Sequence, residues 1–481
     1  MKKLNELFDI NSDIRVDELY DDSRKKVKNG LFFAIKGITV DGHDFIDTAI
    51  QNGAVAVVAE KELDISVPLI VVEDTNVAYN KALNKFYNNV LDKLKIISVT
   101  GTDGKTTVAE IIYQLLNNYE KTGYIGTSGI RYKKNLMEND YTTPLPDVLF
   151  KAFNEFNNLG CKFVAMESSS ERLYTKKLEE INFDVSIFTN LTRDHLDTHK
   201  TMENYALAKA ISFNHLKPGG LGIVNYDDKY KDFFINATNE KILTYSLSNN
   251  NADIYASNIN IKYNKLDFDI NGIYGHHHIS TNISGEYNVY NIMCAILTLT
   301  HFGFDINSII ENISKLHPIE ARQMMLKTNL DFNIMVDYGH TANAVRNLVN
   351  YMKNFIKGRI IVVVGAGGSR DKRRAIEMAN YCTENLDYSF FTIEDARYDN
   401  PHELLTMMIS ETKKKNFTIE IDRDLAIKKA LQFAKKDDLV IILGKGMESY
   451  QITNGKLVPR KNDAETAYQY IEELFGDKVN Q

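Results

Sequence analysis

The chain has 481 residues, 44% hydrophobic and 25% charged, with a formal net charge of −7; at ~100–200 residues per domain, that length suggests about three domains. An acidic balance without a long basic run argues against nucleic-acid binding, and no apolar run approaches the ~20 residues needed to cross a bilayer. Cys161, Cys294 and Cys382 are far apart with no CxxC pair, which suggests neither zinc nor disulfides; the opening residues lack the apolar centre of a secretion signal, so a cytoplasmic chain with reduced thiols is expected.

Residues 1–90 read as a small α/β unit. "LFFAI", "AVAVVAE" and "PLIVVED" are strand-like, "DFIDTAIQNG" is helical, and "NKALNKFYNNVLDKL" is a helix leading onward. A larger α/β unit is predicted over 91–326. In it "KIISVTG" is an apolar strand ending at a glycine loop, and "KTTVAEIIYQLLNNY" is a helix with apolar residues at 3–4 spacing. "KFVAMESSS" and "VSIFTNLT" are buried-type strands with polar ends, where open parallel sheets place their ligands. Residues 251–285 alternate and carry turn signals, which predicts antiparallel hairpins before the helix "NVYNIMCAILTLTHFG". A third α/β unit, 327–481, has strands at "FNIMVDYGH", "RIIVVVGAGG", "SFFTIED" and "LVIILGKGM". The fold class is therefore α/β with a central parallel-sheet domain.

The loop "SVTGTDGKTT" (98–107) is too short for the usual phosphate-loop spacing, with Gly101 and Gly104 only three positions apart. Its setting still favours an anion. A strand ending in glycines and opening a helix presents free N–H groups and the positive end of the helix dipole. Lys105 adds a charge for phosphates, and Thr106 offers a hydroxyl to Mg²⁺; the plain alternative is a tight turn with an exposed lysine. Glu167 and His195 sit at or just past strand ends, and oxygen ligands with one histidine suit Mg²⁺ or Mn²⁺, although each alone could be a salt-bridge or turn residue. The triple histidine 276–278 has no carboxylate near it in the sequence and is read as surface. "GAGG" (365–368) lacks the third glycine of a dinucleotide fingerprint and reads as a close backbone turn. "GKGMESY" (444–450) is a glycine loop after a strand, either a plain turn or a site where Glu448 binds an amine.

In order along the chain, "GTDGKTT", "MESSS", "TNLTRDHLD", "MENYALAKA", "GEYNVYN", "EARQM", "VDYGHT" and "GKGMESYQ" resemble the Mur ligases, whose glycine loop has this short form. The amino-terminal "DDSRKKVKNGLFFAIKGITVDGHDFI" is most similar to the branch that adds the third residue to the UDP-N-acetylmuramoyl dipeptide of peptidoglycan precursors. The resemblance implies three domains: one for the UDP-sugar, a central ATPase domain, and a carboxyl-terminal domain for the incoming amino acid. It implies phosphorylation of the D-glutamyl carboxylate by ATP, with two Mg²⁺ ions, then attack by the amine on the acyl phosphate. It places ATP on Gly101, Thr102, Asp103, Gly104, Lys105, Thr106 and Thr107, with Asn291 at adenine, Arg322 at the phosphates, and Asp337 and His340 reaching in from the third domain. Thr106, Glu167, His195 and a carbamylated Lys209 would hold magnesium, a carboxylate replacing an ammonium beside cations. Ser23, Ile38, Thr39 and Val40 would line the uridine site; Thr142, Thr143, Ser169, Thr175 and Lys177 would hold the muramoyl dipeptide. Lys105, Lys209, His195 and Glu167 are the catalytic candidates. The implied role lies in cell-wall synthesis, and with it cell shape and division, by a monomer.

Three departures matter. Asp103 stands where the family has asparagine, and Thr175 and Lys177 where it has glutamine and arginine; lysine loses the bidentate fork. The stretch Glu394, Asp395, Ala396, Arg397 matches a family "DNPR" and keeps its arginine, as do Arg370, Gly444 and Glu448 their positions. An arginine suits a distal carboxylate, so meso-diaminopimelate is favoured over lysine, while the loss of the family's Asn and Pro and Met447 in place of its histidine leave meso-lanthionine or another diamino acid open. Other readings are a folylpolyglutamate-synthase relative, which would lack the amino-terminal domain, and a non-catalytic Mur-ligase paralogue that binds without turnover.

Overall fold

The computed structural model describes residues 1–37, 40–137, 141–262, 265–319, 322–369 and 371–476. The amino-terminal unit is a parallel sheet of β1 (Glu18–Tyr20), β2 (Gly30–Phe33), β3 (Ala54–Ala59) and β4 (Leu69–Val71), in that order. Its helix after β4 runs Thr75–Phe86 and stops short of the predicted end. Asn88 and Asn89 take left-handed conformations (φ 57° and 53°), which asparagine tolerates and a continuing helix does not.

Among the described residues the central sheet has eleven strands. They are β5 (Lys95–Thr100), β6 (Thr122–Gly126), β7 (Gly129–Tyr132), β8 (Lys134–Met137), β9 (Phe163–Glu167), β10 (Phe183–Phe188), β11 (Leu216–Asn225), β12 (Lys241–Ser246), β13 (Ile254–Lys262), β14 (Lys265–Gly272) and β15 (His277–Thr281). Across the sheet they run β8-β7-β6-β9-β5-β10-β11-β12-β13-β14-β15. The middle of the sheet is parallel, and its strands are apolar on both faces because helices cover both. Register matters most at β9, β5 and β10: Glu167 pairs with Val99, and Phe188 with Thr100. Three carboxyl ends therefore stop side by side. On one face α1 (Lys105–Leu116) packs against α2 (Tyr287–His301) through Val108, Ile111, Ile112, Ile292 and Ile296.

The antiparallel hairpins predicted for 251–285 are β13–β15. They correct one expectation. Strand pairing sets Asp269 opposite His278, with Nδ1 2.8 Å from Oδ1, so a carboxylate does stand beside the triple histidine. His276 and His277 turn to Asn271 and the Tyr274 carbonyl instead. Among the described residues no three His, Cys, Asp or Glu side chains gather to hold a metal.

The third sheet contains β16 (Met324–Met325), β17 (Asn333–Asp337), β18 (Ile360–Gly367), β19 (Tyr388–Asp395), β20 (Phe417–Ile419) and β21 (Leu439–Leu443), ordered β16-β17-β21-β18-β19-β20. Alternate residues go to opposite cores: Val362, Val364 and Ile441 to one, Ile361, Val363 and Ile442 to the other. The "GAGG" stretch is a close approach, not a dinucleotide loop. A side chain at Gly365 would lie 2.6 Å from the Glu394 nitrogen, and one at Gly368 2.0 Å from the Ala396 oxygen. A hairpin, β22 (Tyr450–Thr453) and β23 (Lys456–Pro459), follows β21. Among the described residues the helices of this unit include α3 (Ala342–Met352), α4 (Lys372–Asn385), α5 (Arg423–Phe433) and α6 (Asp463–Phe475), with a shorter helix at Pro401–Met408.

Arg423, at the start of α5, and Asp463, at the start of α6, form a buried two-pronged ion pair at 2.9 and 2.6 Å. Arg423 Nη2 also donates to the Leu443 carbonyl at 2.7 Å, pinning the end of β21. Burial pushes the Asp463 carboxyl up, yet Arg423 and Arg460 hold it below its usual range. Asp463→Ala strands a buried guanidinium and is expected to lower stability by about 3–5 kcal/mol. Urea unfolding measures this; a loss below about 1 kcal/mol, the scale of an exposed pair, would refute it.

Candidate active site

The glycine loop begins where β5 ends. Gly101 has φ +148° and Gly104, capping α1, has φ +86°. A side chain at 101 would lie 1.9 Å from Thr189 Oγ1, so the two loops can touch only through a glycine. Lys105 Nζ donates to the carbonyls of Gly101 (3.0 Å) and Thr102 (2.8 Å). Burial lowers its pKa, against the raising charges of Glu167, Asp103 and Asp194. Asp103 accepts from Thr341 Oγ1, the cap of α3, at 3.3 and 3.2 Å. The departure from asparagine thus becomes a link between the central and third units.

Glu167, the last residue of β9, is fully buried. Its Oε1 accepts from the Tyr124 hydroxyl (2.9 Å) and the Thr127 N–H (2.8 Å); its Oε2 accepts from Thr106 Oγ1 (3.0 Å) and, weakly, Thr127 Oγ1 (3.3 Å). Arg322 Nη2 donates to Thr106 Oγ1 at 2.8 Å, while its buried Nε finds no acceptor among the described residues. Thr143 Oγ1 donates to the Glu167 carbonyl (2.8 Å) and accepts from the Ser169 N–H (2.9 Å); Thr142 accepts from Thr127 Oγ1.

After β10 the loop carries Asp194 and His195, the latter left-handed at φ 52°. Asp194 gathers three cationic or protonatable groups: His195 Nε2 at 3.3 Å, Arg374 Nη1 at 3.2 Å and His340 Nε2 at 3.8 Å. Burial alone would raise its carboxyl, but these neighbours hold it well below the usual range. Lys209 Nζ donates to the Gly101 carbonyl at 2.7 Å and lies 4.5 Å from the Tyr205 ring centre. Burial and the nearby Lys105 charge push its amine far below the ordinary lysine value.

The opposite wall comes from the third unit. Asp337 accepts from the Gln323 and Gly339 N–H groups, and burial raises its pKa despite Arg322. Glu394 lies 3.6 Å from Arg374 Nη2, and a side chain at Gly444 would meet its Oε1 at 2.2 Å. Lys445, almost wholly buried, pairs with Asp395 (3.0 Å) and with Glu448. Burial raises Glu448 in spite of that cation. Arg397 is held at φ +55° by its N–H to the Ile452 carbonyl (2.8 Å) of β22, and its buried Nε has no acceptor among the described residues. Both walls line one cavity of about 2340 Å³.

Three family models account for most of the chain: "Mur ligase family, catalytic domain" (residues 17–100), "Mur ligase middle domain" (99–299) and "Mur ligase, glutamate ligase domain" (322–446). A UDP-N-acetylmuramoyl-L-alanyl-D-glutamate–2,6-diaminopimelate ligase of Halalkalibacterium halodurans is 36% identical over 96% of this chain and 95% of its own. One from Clostridium acetobutylicum is 37% identical over 96% of each. The chain belongs to the Mur ligase family. A solved structure of a ligase of that same description superposes with a TM-score of 0.67 at 27% identity, covering 98% of this chain and 99% of that one.

In this Mur ligase the cavity collects Thr102, Asp103, Gly104, Lys105, Thr106, Thr107, Thr142, Thr143, Glu167, Ser169, His195, Lys209, Asn291, Arg322, Asp337, His340, Glu394, Asp395, Arg397, Gly444 and Glu448. Gly101 contributes its carbonyl behind the loop. Ser23, Val40, Thr175 and Lys177 do not line it. Lys177 is 3.8 Å from Asp21 and so ties the central unit to the amino-terminal one. Ala396 is turned into the core of the third unit. Asp395 lines the cavity, but its Oδ1 is already engaged by Lys445 and the Ile452 N–H. Ile38, Thr39 and Arg370 lie outside the described residues.

Sequence reasoning missed Asp194, Arg374, Lys445 and Arg172. Asp194 and Lys445 stand beside residues it did select, in "RDHLD" and "GKGM". Arg374 looks like its basic neighbours in "DKRR", and only folding brings it to Asp194. Arg172 Nε donates to the Thr143 carbonyl at 3.2 Å, a contact that no spacing announces.

The tight turn at Gly101 predicts a graded effect. Gly219 is also left-handed (φ +80°), but a side chain there would meet nothing within 4 Å. Gly101→Ala, which adds a clash to the strain, should therefore destabilise more than Gly219→Ala, by about 1–3 kcal/mol. Equal thermal midpoints for the two variants would show that Thr189 yields freely.

Proposed function

We propose that this chain joins a diamino acid, meso-diaminopimelate first, to the D-glutamyl carboxylate of UDP-N-acetylmuramoyl-L-Ala-D-Glu, with ATP split to ADP and phosphate. The observation that carries the reading is that the glycine loop with Lys105 and the loop with Arg397 face one cavity. A carboxylate is a poor electrophile towards an amine, and phosphorylation gives it a leaving group. Two anions must then meet, so fixed positive charge has to be concentrated between them. Lys105 and Arg322 supply it at the glycine loop. His340 and Asp337 are brought from the third unit to the nucleotide, and Thr142, Thr143 and Ser169 form a hydroxyl-rich ledge beside Glu167 for the dipeptide.

Thr106 Oγ1 and Glu167 Oε2, 3.0 Å apart, are hard oxygen donors that fit a Mg²⁺ ion, which is commonly held by one or two carboxylates together with substrate phosphates. Bound there, it would neutralise phosphate charge. His195 and Lys209 fit a second ion only if Lys209 carries a carboxylate. Its depressed pKa favours the neutral amine, the form that adds CO₂ to give a carbamate with loss of one proton. Lys209→Ala should then lower turnover by about 100-fold or more, with partial recovery on adding short carboxylates such as acetate. A fully active variant contradicts the carbamate role.

The preference for a diacid rests on the unmatched Nε of Arg397, a donor that a second carboxylate can satisfy and lysine cannot. Met447 lines the same cavity, and a thioether-bridged diacid keeps both carboxylates, so meso-lanthionine is the second reading. Phosphate release in the presence of diaminopimelate, lanthionine, lysine or ornithine tests both. Diacids should be turned over, and Arg397→Ala should raise their KM about tenfold or more while barely changing that of lysine. Equal effects on diacid and lysine remove the argument, and no turnover with any amino acid favours a binding paralogue. The reading implies work in the cytoplasm, as a monomer.

A further inference from the structure

A carboxylate oxygen has about two lone-pair directions. At Glu167 Oε1 both are occupied, by the Tyr124 hydroxyl at 2.9 Å and the Thr127 N–H at 2.8 Å. Oε2 is different. Its partners are two hydroxyls, Thr106 at 3.0 Å and Thr127 at 3.3 Å, and a hydroxyl can rotate its proton away, whereas a backbone N–H cannot.

The arrangement at Oε1 is built into the fold. Tyr124 is completely buried on β6, next to β9 in the sheet. Gly126 leaves room for the contact: a side chain there would lie 2.2 Å from Glu167 Oε1 and 2.3 Å from the Tyr124 hydroxyl. Behind the ring, the Arg131 guanidinium sits 4.8 Å from the Tyr124 ring centre and 5.1 Å from that of Tyr113. Arg131 is itself ion-paired to the buried Glu110 of α1. Arg131 thus packs on the buried Tyr124 ring, whose hydroxyl donates to Glu167 Oε1.

We propose that Tyr124 is a positioning residue that closes Oε1 of Glu167 and leaves Oε2 as the single oxygen offered to a cation, so that the site discriminates for Mg²⁺ against Ca²⁺. The chemistry behind the selection is general. Mg²⁺ prefers single-oxygen contacts in a strict octahedron, while Ca²⁺ is larger and readily takes both oxygens of one carboxylate. A carboxylate with one oxygen withheld penalises the ion that would use two. The proposal rests on the reading of Glu167 as a cation ligand.

The experiment uses the full-length protein with a non-hydrolysable ATP analogue and Mn²⁺ as the paramagnetic probe. Free Mn²⁺ is counted by electron paramagnetic resonance while Mg²⁺ or Ca²⁺ competes. The ratio of the two competition constants is the readout, and it requires no turnover. Wild-type protein should favour Mg²⁺, and Tyr124→Phe, which keeps the ring and removes one oxygen, should narrow the ratio by about tenfold. Tyr124→Leu also lacks the hydroxyl and should move the ratio in the same direction, which guards against a folding defect peculiar to one variant. Thr127→Val removes the weak bonds from its hydroxyl to Oε2 and to Thr142, leaves both bonds at Oε1, and should leave the ratio in place. An unchanged ratio in both Tyr124 variants, or an equal change in Thr127→Val, overturns the proposal and leaves the ligase reading standing. Wild-type protein that binds no Mn²⁺ with the analogue present removes Glu167 as a cation ligand, and the proposal with it.

Discussion

A charge taken out of water has to be met by hydrogen bonds or by an opposite charge, or it will not stay ionised. Glu167, fully buried, meets this requirement with hydrogen bonds gathered from Thr106, Tyr124 and Thr127. Parallel pairing brings the end of β9 beside the end of β5, which puts the carboxylate against the first turn of α1. Thr106 comes from that turn, Tyr124 from the neighbouring strand, and Thr127 from the loop beyond it. Strand order, loop length and helix start must all agree for this one side chain to be satisfied. Once they do, the ledge of Thr143 and Ser169 and the reach of Arg322 follow from the same anchor.

The same requirement joins the units. Asp194 is buried in the central unit, and two of its three partners belong to the third. Arg193 to Asp371 at 2.9 Å and Thr341 to Asp103 run beside them. A cavity between two domains is useful only if their faces are held in register, and here polar contacts do that work around the cavity's edge. Such contacts break and re-form more easily than an apolar seam, which suits faces that have to admit large substrates.

Much of this was legible in the sequence because it depends on local chemistry. Strands with apolar runs, the glycine loop and the helix behind it are short-range features, and the order of motifs identified the family. Lys105, Thr106 and Glu167 were recognisable by their places at strand and helix ends. What stayed hidden depends on pairing between distant residues. Nothing in "DKRR" marks Arg374, because Asp194 lies 180 residues away. The carboxylate opposite His278 came from strand register, which composition does not reveal. The early stop of the helix before Asn88 was a local signal that apolar spacing outweighed.

The hairpin after β21 carries a consequence of its own. Arg397 is fixed in a left-handed backbone by main-chain bonds to Ile452 and by the Gly455 N–H reaching its carbonyl at 3.3 Å. None of those bonds involves a side chain. The exposed residues of that ribbon, Leu457 and Val458 among them, can therefore drift without disturbing the arginine, whereas one inserted or deleted residue would swing it away. The position of this guanidinium in the chamber is thus set by the ribbon's length and main-chain pairing, not by which side chains the ribbon carries.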